Sequence, residues 1–260
     1  MSVVGIIPAA GRGTRLAPLP FSKELFPLGY QRLLINGKEQ WRPKVVSQYI
    51  FEQMLFAGAS KIFFVLGPGK HSIMEYYGDG HRWGVDIGYL FQEEPKGLPF
   101  ALGLLRAWIN KEDVVLFGMP DTLIHPKNLL AKMVEYHLKM GADLTLSTFR
   151  TSHPEKFGMV EIDKNGNIVA NIDKPKQSSL EYMWGAACWS FEFVEILEKF
   201  VSNTSCLGEA VLSSAFQMAI EHKLKVIAFQ CAGSEYCDIG TVDELNAAIL
   251  RYSRFEDNDN

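Results

Sequence analysis

A surplus of positive charge is missing from this 260-residue chain, in which 26 Lys and Arg stand against 30 Asp and Glu for a formal net charge of −4. The basic footprint of a nucleic-acid binder is therefore absent, and any anionic ligand must be met by a few local cations. Cysteine is scarce as well: Cys188, Cys206, Cys231 and Cys237 are the four residues, and no two form a CxxC pair. They read as reduced thiols of a cytoplasmic protein, not as a disulfide framework. No run approaches the roughly 20 apolar residues of a membrane span, and Val3 to Ala10 lacks the flanks of a signal segment. Paired histidines are missing too, because His71, His81, His125, His137, His153 and His222 are scattered. With no Gly-x-Ser-x-Gly elbow either, a zinc site and the common hydrolase chemistry are both disfavoured. The expectation is a cytoplasmic protein that engages neither nucleic acid nor membrane.

What the chain does have is a hydrophobic fraction of 47%, enough to fill the core of one large α/β domain. Val3 to Pro8 is a continuous apolar run ending in a Gly-rich turn, the pattern of a strand buried on both faces. Lys61 to Leu66, Val114 to Gly118, Asp143 to Phe149 and Lys225 to Gln230 repeat it. Between them the patterning predicts helices over Pro43–Ala57, Leu98–Ile109, Pro126–Met140 (closed by Gly141) and Glu209–His222. Strands alternating with helices predict an α/β fold, Rossmann-like and doubly wound around a mostly parallel mixed sheet. Asn36-Gly37 and Asn165-Gly166 are hairpin signals, and the second predicts a small antiparallel subregion between Met159–Asp163 and Ile168–Ile172. Thr241-Val-Asp-Glu244 is a capping-box pattern that opens a last helix to about Tyr252. One catalytic domain over 1–252 with a flexible tail over 253–260 is the simplest organisation.

Chemistry concentrates first in Ala9-Ala-Gly-Arg-Gly-Thr-Arg15, directly after the first strand. Glycines there let the backbone approach a ligand and turn several N–H groups into one concavity suited to phosphate oxygens. Arg15 adds a planar charged fork, and Lys23 adds a compact point charge. The loop lacks the Gly-Lys-Ser/Thr of a Walker A motif. It is also a poor dinucleotide fingerprint, since Leu16 stands where the third glycine would fall.

The longer string Gly11-Arg-Gly-Thr-Arg-Leu-Ala-Pro18, followed by Ser22-Lys-Glu-Leu-Phe-Pro27, resembles the signature of the sugar-1-phosphate nucleotidyltransferase family. Further stretches resemble its thymidylyltransferase and uridylyltransferase branches in the same order: Tyr77 to Gly84, Gln92 to Leu98, Met119-Pro-Asp121, Phe157 to Glu161, Asp173-Lys-Pro175 and Tyr236 to Thr241. The resemblance implies the nucleotide-diphospho-sugar transferase fold and direct in-line attack of a sugar 1-phosphate on a pyrimidine NTP, UTP or dTTP. It implies Mg²⁺ held by Asp121 and Asp238, with Arg15 and Lys23 as the catalytic cations. Ala10, Gly11, Gly13 and Thr14 would bind the nucleotide, while Gln92, with both donor and acceptor, and Gly97 would read the base. Lys174 would grip the sugar phosphate, with Glu161 and Gly185 holding sugar hydroxyls.

Some positions depart from that pattern. Pro120 precedes the metal Asp, and Pro99-Phe100 stands where the thymidylyltransferases have Ala-Gln. The segment Tyr30 to Arg42 is longer than its counterpart and fits either a hairpin near the site mouth or a homo-oligomer contact. The alternative function is a catalytically silent nucleotide or sugar-phosphate binder on the same fold, against which both Asp residues and Lys23 speak. A nicotinamide-dependent oxidoreductase is disfavoured by the missing third glycine.

Overall fold

Val3–Ala9 forms β1, the strand around which the molecule is organised, and six of its seven residues are buried. The computed structural model describes residues 1–204 and 210–252. Cys206, the expected helix start at Glu209 and the 253–260 tail therefore lie outside the described residues. A hairpin follows β1, made of β2 (Pro27–Ile35) and β3 (Lys38–Val45). Its turn is Asn36-Gly37, with φ of 52° and 74°, the left-handed pair that a two-residue hairpin needs. Helix α1 (Val46–Phe56) leads to β4 (Ala59–Leu66), α2 (His71–Tyr77), β5 (Asp86–Phe91), α3 (Leu98–Gly103) and β6 (Val114–Phe117). Next come β7 (Thr122–His125), α4 (Leu129–Met140), β8 (Leu144–Arg150), β9 (Gly158–Ile162), β10 (Ile168–Asp173) and β11 (Tyr182–Trp189). The remaining elements are α5 (Phe191–Asn203), α6 (Leu212–Glu221), β12 (Val226–Gln230), β13 (Glu235–Asp238) and α7 (Val242–Tyr252).

The main sheet has the order β10-β9-β11-β6-β1-β4-β5, with β8 beside β11 and β12 beside β8. β6, β1, β4 and β5 run parallel, as the continuous apolar runs predict. The antiparallel portion reaches further than its hairpin signal indicated, because β11 pairs antiparallel with β6, β8 and β9. The β8–β11 register shifts between Trp184 and Ala187. Ser147 satisfies the interrupted ladder there, its hydroxyl donating to the Ala186 carbonyl (3.0 Å) and accepting from the Ala186 N–H (2.7 Å).

Several helix boundaries differ from expectation: α4 starts at Leu129 and not at Pro126, and α6 at Leu212, after an extended Val211. Pro43 pairs with Tyr30 inside β3, so the helix begins at Val46 and not at a Pro-led first turn. An edge ribbon tolerates a residue without an N–H donor, whereas the hairpin pattern outcompetes the helical one there. The Leu98–Ile109 helix is α-helical only to Gly103 and continues as a 3₁₀ turn over Leu104–Trp108.

Apolar side chains fill both faces of the sheet. One layer joins Ile6, Val65, Phe117 and Trp189 to α5 and α6 residues such as Phe193 and Phe216. The other joins Ile7, Phe64 and Leu116 to Phe51, Tyr77 and Met133 from α1, α2 and α4. The Phe63-Phe64 and Tyr76-Tyr77 pairs belong to this packing, with the Phe64 and Tyr77 rings 4.6 Å apart between centroids. A third, smaller cluster of Leu28, Val46, Leu123, Ile239 and Ala248 seats α7, the hairpin and a separate two-stranded ribbon against one another. That ribbon is β7 with β13, antiparallel, with Asp238 opposite Thr122.

Candidate active site

The parallel strands β1, β5 and β6 deliver their following loops to one edge of the sheet, where open α/β folds bind ligands. A cleft of about 560 Å³ opens there. The Gly-rich loop forms one wall, through Ala10, Gly11, Gly13, Thr14 and Arg15, and Lys23 borders the same wall. Gln92 and Gly97 line it from the loop after β5, Asp121 from the loop after β6, and Lys174 from the end of β10. Residues spread over much of the chain thus meet in a single space. Asp238, Glu161 and Gly185 do not line it, although Gly240, two residues after Asp238, does. Glu161 is exposed on β9 opposite Ala170. Gly185 is buried at the β11 irregularity, where a Cβ would lie 2.6 Å from the Tyr236 ring.

Local backbone explains several placements. Gly13 has φ of 64° and starts a 3₁₀ turn over Thr14–Leu16, so the loop bends back beside the Lys23 side chain. Gly97 has φ of 106°, and a Cβ there would lie 2.1 Å from the Ala210 carbonyl oxygen. Only glycine fits a left-handed position pressed this closely against another backbone. Gln92 is held by its N–H, which donates to the Leu66 carbonyl at 2.8 Å. Lys174 adopts φ of 42° directly after β10, with its N–H donating to the Phe157 carbonyl at 3.0 Å. A non-glycine residue in this region is uncommon and concentrates at binding sites.

The electrostatic centre is a pair of carboxylates flanked by cations. The β7–β13 ribbon brings Asp238 beside Asp121, and the Ile239 N–H donates to the Asp121 carbonyl at 2.9 Å. Lys23 Nζ donates to Asp121 Oδ2. Burial pulls the Lys23 ammonium down, but the Asp121 carboxylate, with Glu24 and Asp238 behind it, outweighs this and holds it above its ordinary value. Burial pushes the Asp238 carboxyl up to about 7, and the charges of Asp121 and Glu244 add to the rise, while Lys23 and Arg15 oppose it. Gly240 reports how close these groups stand, since a Cβ there would lie 2.9 Å from Arg15 Nη1 and 3.0 Å from Asp238 Oδ2.

Asp121 Oδ1 is buried without a hydrogen-bond partner among the described residues. An unsatisfied buried carboxylate oxygen on a residue whose charge acts on a second, reluctantly ionised carboxyl suits a hard divalent cation. Among the described residues no group of three or more His, Cys, Asp and Glu side chains is placed to hold a metal ion together. Two carboxylates nevertheless suffice for a cation that keeps its other positions for substrate phosphates and water.

Two parts of the site escaped the sequence reading. Gly240 completes the lining beside Asp121. Glu24 lies within the recognised string yet turns inward to a buried ion pair with Lys70 (2.7 Å), a contact that no local pattern announces. The three described cysteines, Cys188, Cys231 and Cys237, are free thiols. Among the described residues no helix is long and apolar enough to cross a membrane.

The chain is similar to known nucleotidyltransferases. A nucleotidyltransferase of low-salt glycan biosynthesis, Agl11 of Haloferax volcanii, is 28% identical over 84% of the chain, which spans 57% of that relative's length. The glucose-1-phosphate thymidylyltransferase of Mycolicibacterium smegmatis is 27% identical over 93% of the chain and 79% of its own length. Among solved structures, a Bacillus anthracis protein described as a glucose-1-phosphate thymidylyltransferase, crystallised with sucrose, superposes with a TM-score of 0.83 at 19% identity, covering 98% of this chain and 97% of its own. A UDP-glucose pyrophosphorylase in complex with UDP-glucose gives 0.78 at 21% identity, covering 97% and 99%. These likenesses establish the nucleotide-diphospho-sugar transferase fold. The model of the family described as nucleotidyl transferase matches residues 4–254, and the chain belongs to that family.

Proposed function

We propose that the protein transfers a nucleotidyl group from UTP or dTTP to a sugar 1-phosphate, giving an NDP-sugar and pyrophosphate. The observation that carries this reading is the convergence of the Gly-rich loop, Lys23, Asp121 and Lys174 in one cleft, with Asp238 paired opposite Thr122 directly behind Asp121. The thymidylyltransferase relatives support it. Residues 1–252 are proposed to act as one catalytic unit.

In this reading the backbone of Ala10 to Thr14 cradles the triphosphate, and Gln92 pairs with the N3–H and a carbonyl of uracil or thymine while Gly97 lets the backbone approach the base. Lys174 holds the phosphate of the sugar. That phosphate's oxygen forms a bond to the α-phosphorus, the bond from the α-phosphorus to the β-phosphate oxygen breaks, and pyrophosphate departs with the electron pair. No protein nucleophile takes part. Lys23 and Arg15 neutralise the charge that grows on the departing pyrophosphate. Asp121 and Asp238 would hold a Mg²⁺ ion, which supplies charge neutralisation and alignment of phosphate oxygens when bound. Alignment of two anions that repel one another is the larger part of the work, and fixed cations on both sides supply it.

A panel of the four common NTPs plus dTTP against several sugar 1-phosphates, read by pyrophosphate release, tests the proposal. Release that requires both a pyrimidine NTP and a sugar phosphate is expected. Binding of a nucleotide without release from any pair would favour the silent binder.

A further inference from the structure

Lys23 stands among three carboxylates, and one of them is its own neighbour in the chain. Glu24 lines the same cleft as Lys23 and Asp121, yet it is only 1% exposed and its Oε2 is 2.7 Å from the Nζ of Lys70. Lys70 is itself 7% exposed and belongs to the loop between β4 and α2. It lines a second hollow, of about 520 Å³, that shares Ala10, Gly11, Gly13 and Lys23 with the first. The two segments are joined again next door, where the Ser22 and Ser72 hydroxyls are 3.2 Å apart. Gly67, in the same loop, packs against the Gly-rich loop so closely that a Cβ would lie 2.7 Å from the Ala10 carbonyl oxygen.

A buried ion pair is a poor device for stability alone, because desolvating two charges offsets most of their attraction. Its location explains it better. Resting on the reading of Lys23 given above, we propose that Lys70 is a positioning residue: by engaging Glu24 it stops that carboxylate from capturing the Lys23 ammonium, and so leaves Lys23 to Asp121 and the phosphates of the substrate. Without Lys70, Glu24 is a buried carboxylate whose charge acts on the adjacent Lys23. The Glu24 charge already contributes to holding the Lys23 ammonium protonated. Lys70 touches no reacting group and acts only through Glu24.

The idea makes an asymmetric prediction that a purely structural pair does not. Lys70→Met leaves a competing carboxylate beside Lys23, and kcat for pyrophosphate release is expected to fall at least about tenfold, with KM for both substrates within about twofold. Glu24→Gln leaves no competitor and is expected to lose less than about threefold in kcat. The double variant Glu24→Gln/Lys70→Met regains most of the rate lost in Lys70→Met, because the competing charge is gone. Wild-type kcat in Lys70→Met, or a double variant as slow as Lys70→Met while melting at the wild-type temperature, overturns the proposal. A second readout does not require turnover. Lys23→Met is expected to lower the melting midpoint more in the Lys70→Met background than in the wild type, since Lys23 there serves two carboxylates; equal drops overturn the coupling. Absence of pyrophosphate release by the wild type, with the melting asymmetry present, would defeat the nucleotidyl-transfer reading and leave the Lys70–Glu24–Lys23 coupling standing.

Discussion

The N–H of Ile239 donates to the carbonyl of Asp121 at 2.9 Å, fastening the segment that carries Asp238 to the one that carries Asp121. Two carboxylates far apart in sequence are thereby held as a unit by backbone, and a small apolar cluster that includes Leu123 and Ile239 locks the ribbon in place. Burial, and after it the neighbouring Asp121 charge, pushes the Asp238 carboxyl up to about 7.

Replacement of either carboxylate separates function from folding. Asp121→Asn and Asp238→Asn are each expected to reduce pyrophosphate release by more than about a hundredfold at saturating substrate and millimolar Mg²⁺. Asp238→Asn should also melt no lower than the wild type in the absence of metal, because it removes one of two repelling buried charges. Wild-type rates in either variant under limiting Mg²⁺ would contradict the assignment.

Gly97 offers a test of the loop proposed to read the base. Gly97→Ala forces a side chain toward the Ala210 carbonyl from a left-handed backbone, so the loop from Gln92 must shift. KM for the nucleotide is expected to rise about tenfold or more, with KM for the sugar phosphate nearly unchanged. Steady-state kinetics with each substrate varied in turn decides it, and an equal rise in both constants would count against the loop's assigned role.

Gln53 links the ribbon to the helices beneath it. Its side chain is buried, donating to the carbonyls of Ile124 (2.9 Å) and Pro126 (2.8 Å) and accepting from the Leu130 N–H (3.2 Å). Gln53→Leu strands those groups and is expected to lower stability by about 2–4 kcal/mol, measured by urea unfolding. A loss below about 0.5 kcal/mol would show that the corner is held by other means.

Acid sensitivity of the fold is expected to centre on His137. Burial pushes its imidazole down to about 4 from an ordinary 6.5, with the Asp143 charge opposing, while a ring nitrogen lies 2.9 Å from the Thr145 hydroxyl. The unfolded chain takes up this proton near pH 6.5 and the folded protein only near pH 4. Stability from His137 is thus complete above pH 6.5 and declines as the pH falls toward 4, by about 3 kcal/mol in all. His137→Gln should flatten the stability profile across that window, and an unchanged slope would place the acid sensitivity elsewhere.

Much of this was legible in the chain because its signals were local. The apolar run of β1 and the Asn36-Gly37 turn announce themselves in a few consecutive residues, and so does the Gly-rich loop. The capping box at Thr241 is found with the Glu244 N–H donating to the Thr241 hydroxyl at 3.3 Å, though the Glu244 carboxylate accepts from Gly240. Pro43 misled because a proline ahead of an apolar run satisfies a helix start as well as an edge strand, and only pairing with Tyr30 decides between them. The β7–β13 ribbon was invisible for another reason. Each strand is four residues long, and their partnership depends on contacts between distant segments. The inward turn of Glu24 toward Lys70 belongs with it, since burial of a charged side chain is decided by tertiary packing and leaves no mark on local pattern.

The most direct test of the account is the stoichiometry of the reaction, followed by phosphorus NMR on the purified protein with Mg²⁺, UTP or dTTP, and each of several sugar 1-phosphates. The account predicts that NDP-sugar and pyrophosphate appear in equal amounts as nucleotide and sugar phosphate disappear together, and that Asp121→Asn leaves all signals unchanged. Consumption of nucleotide without sugar phosphate, or a wild-type mixture that stays unchanged with every pyrimidine nucleotide while the nucleotide is bound, would contradict it.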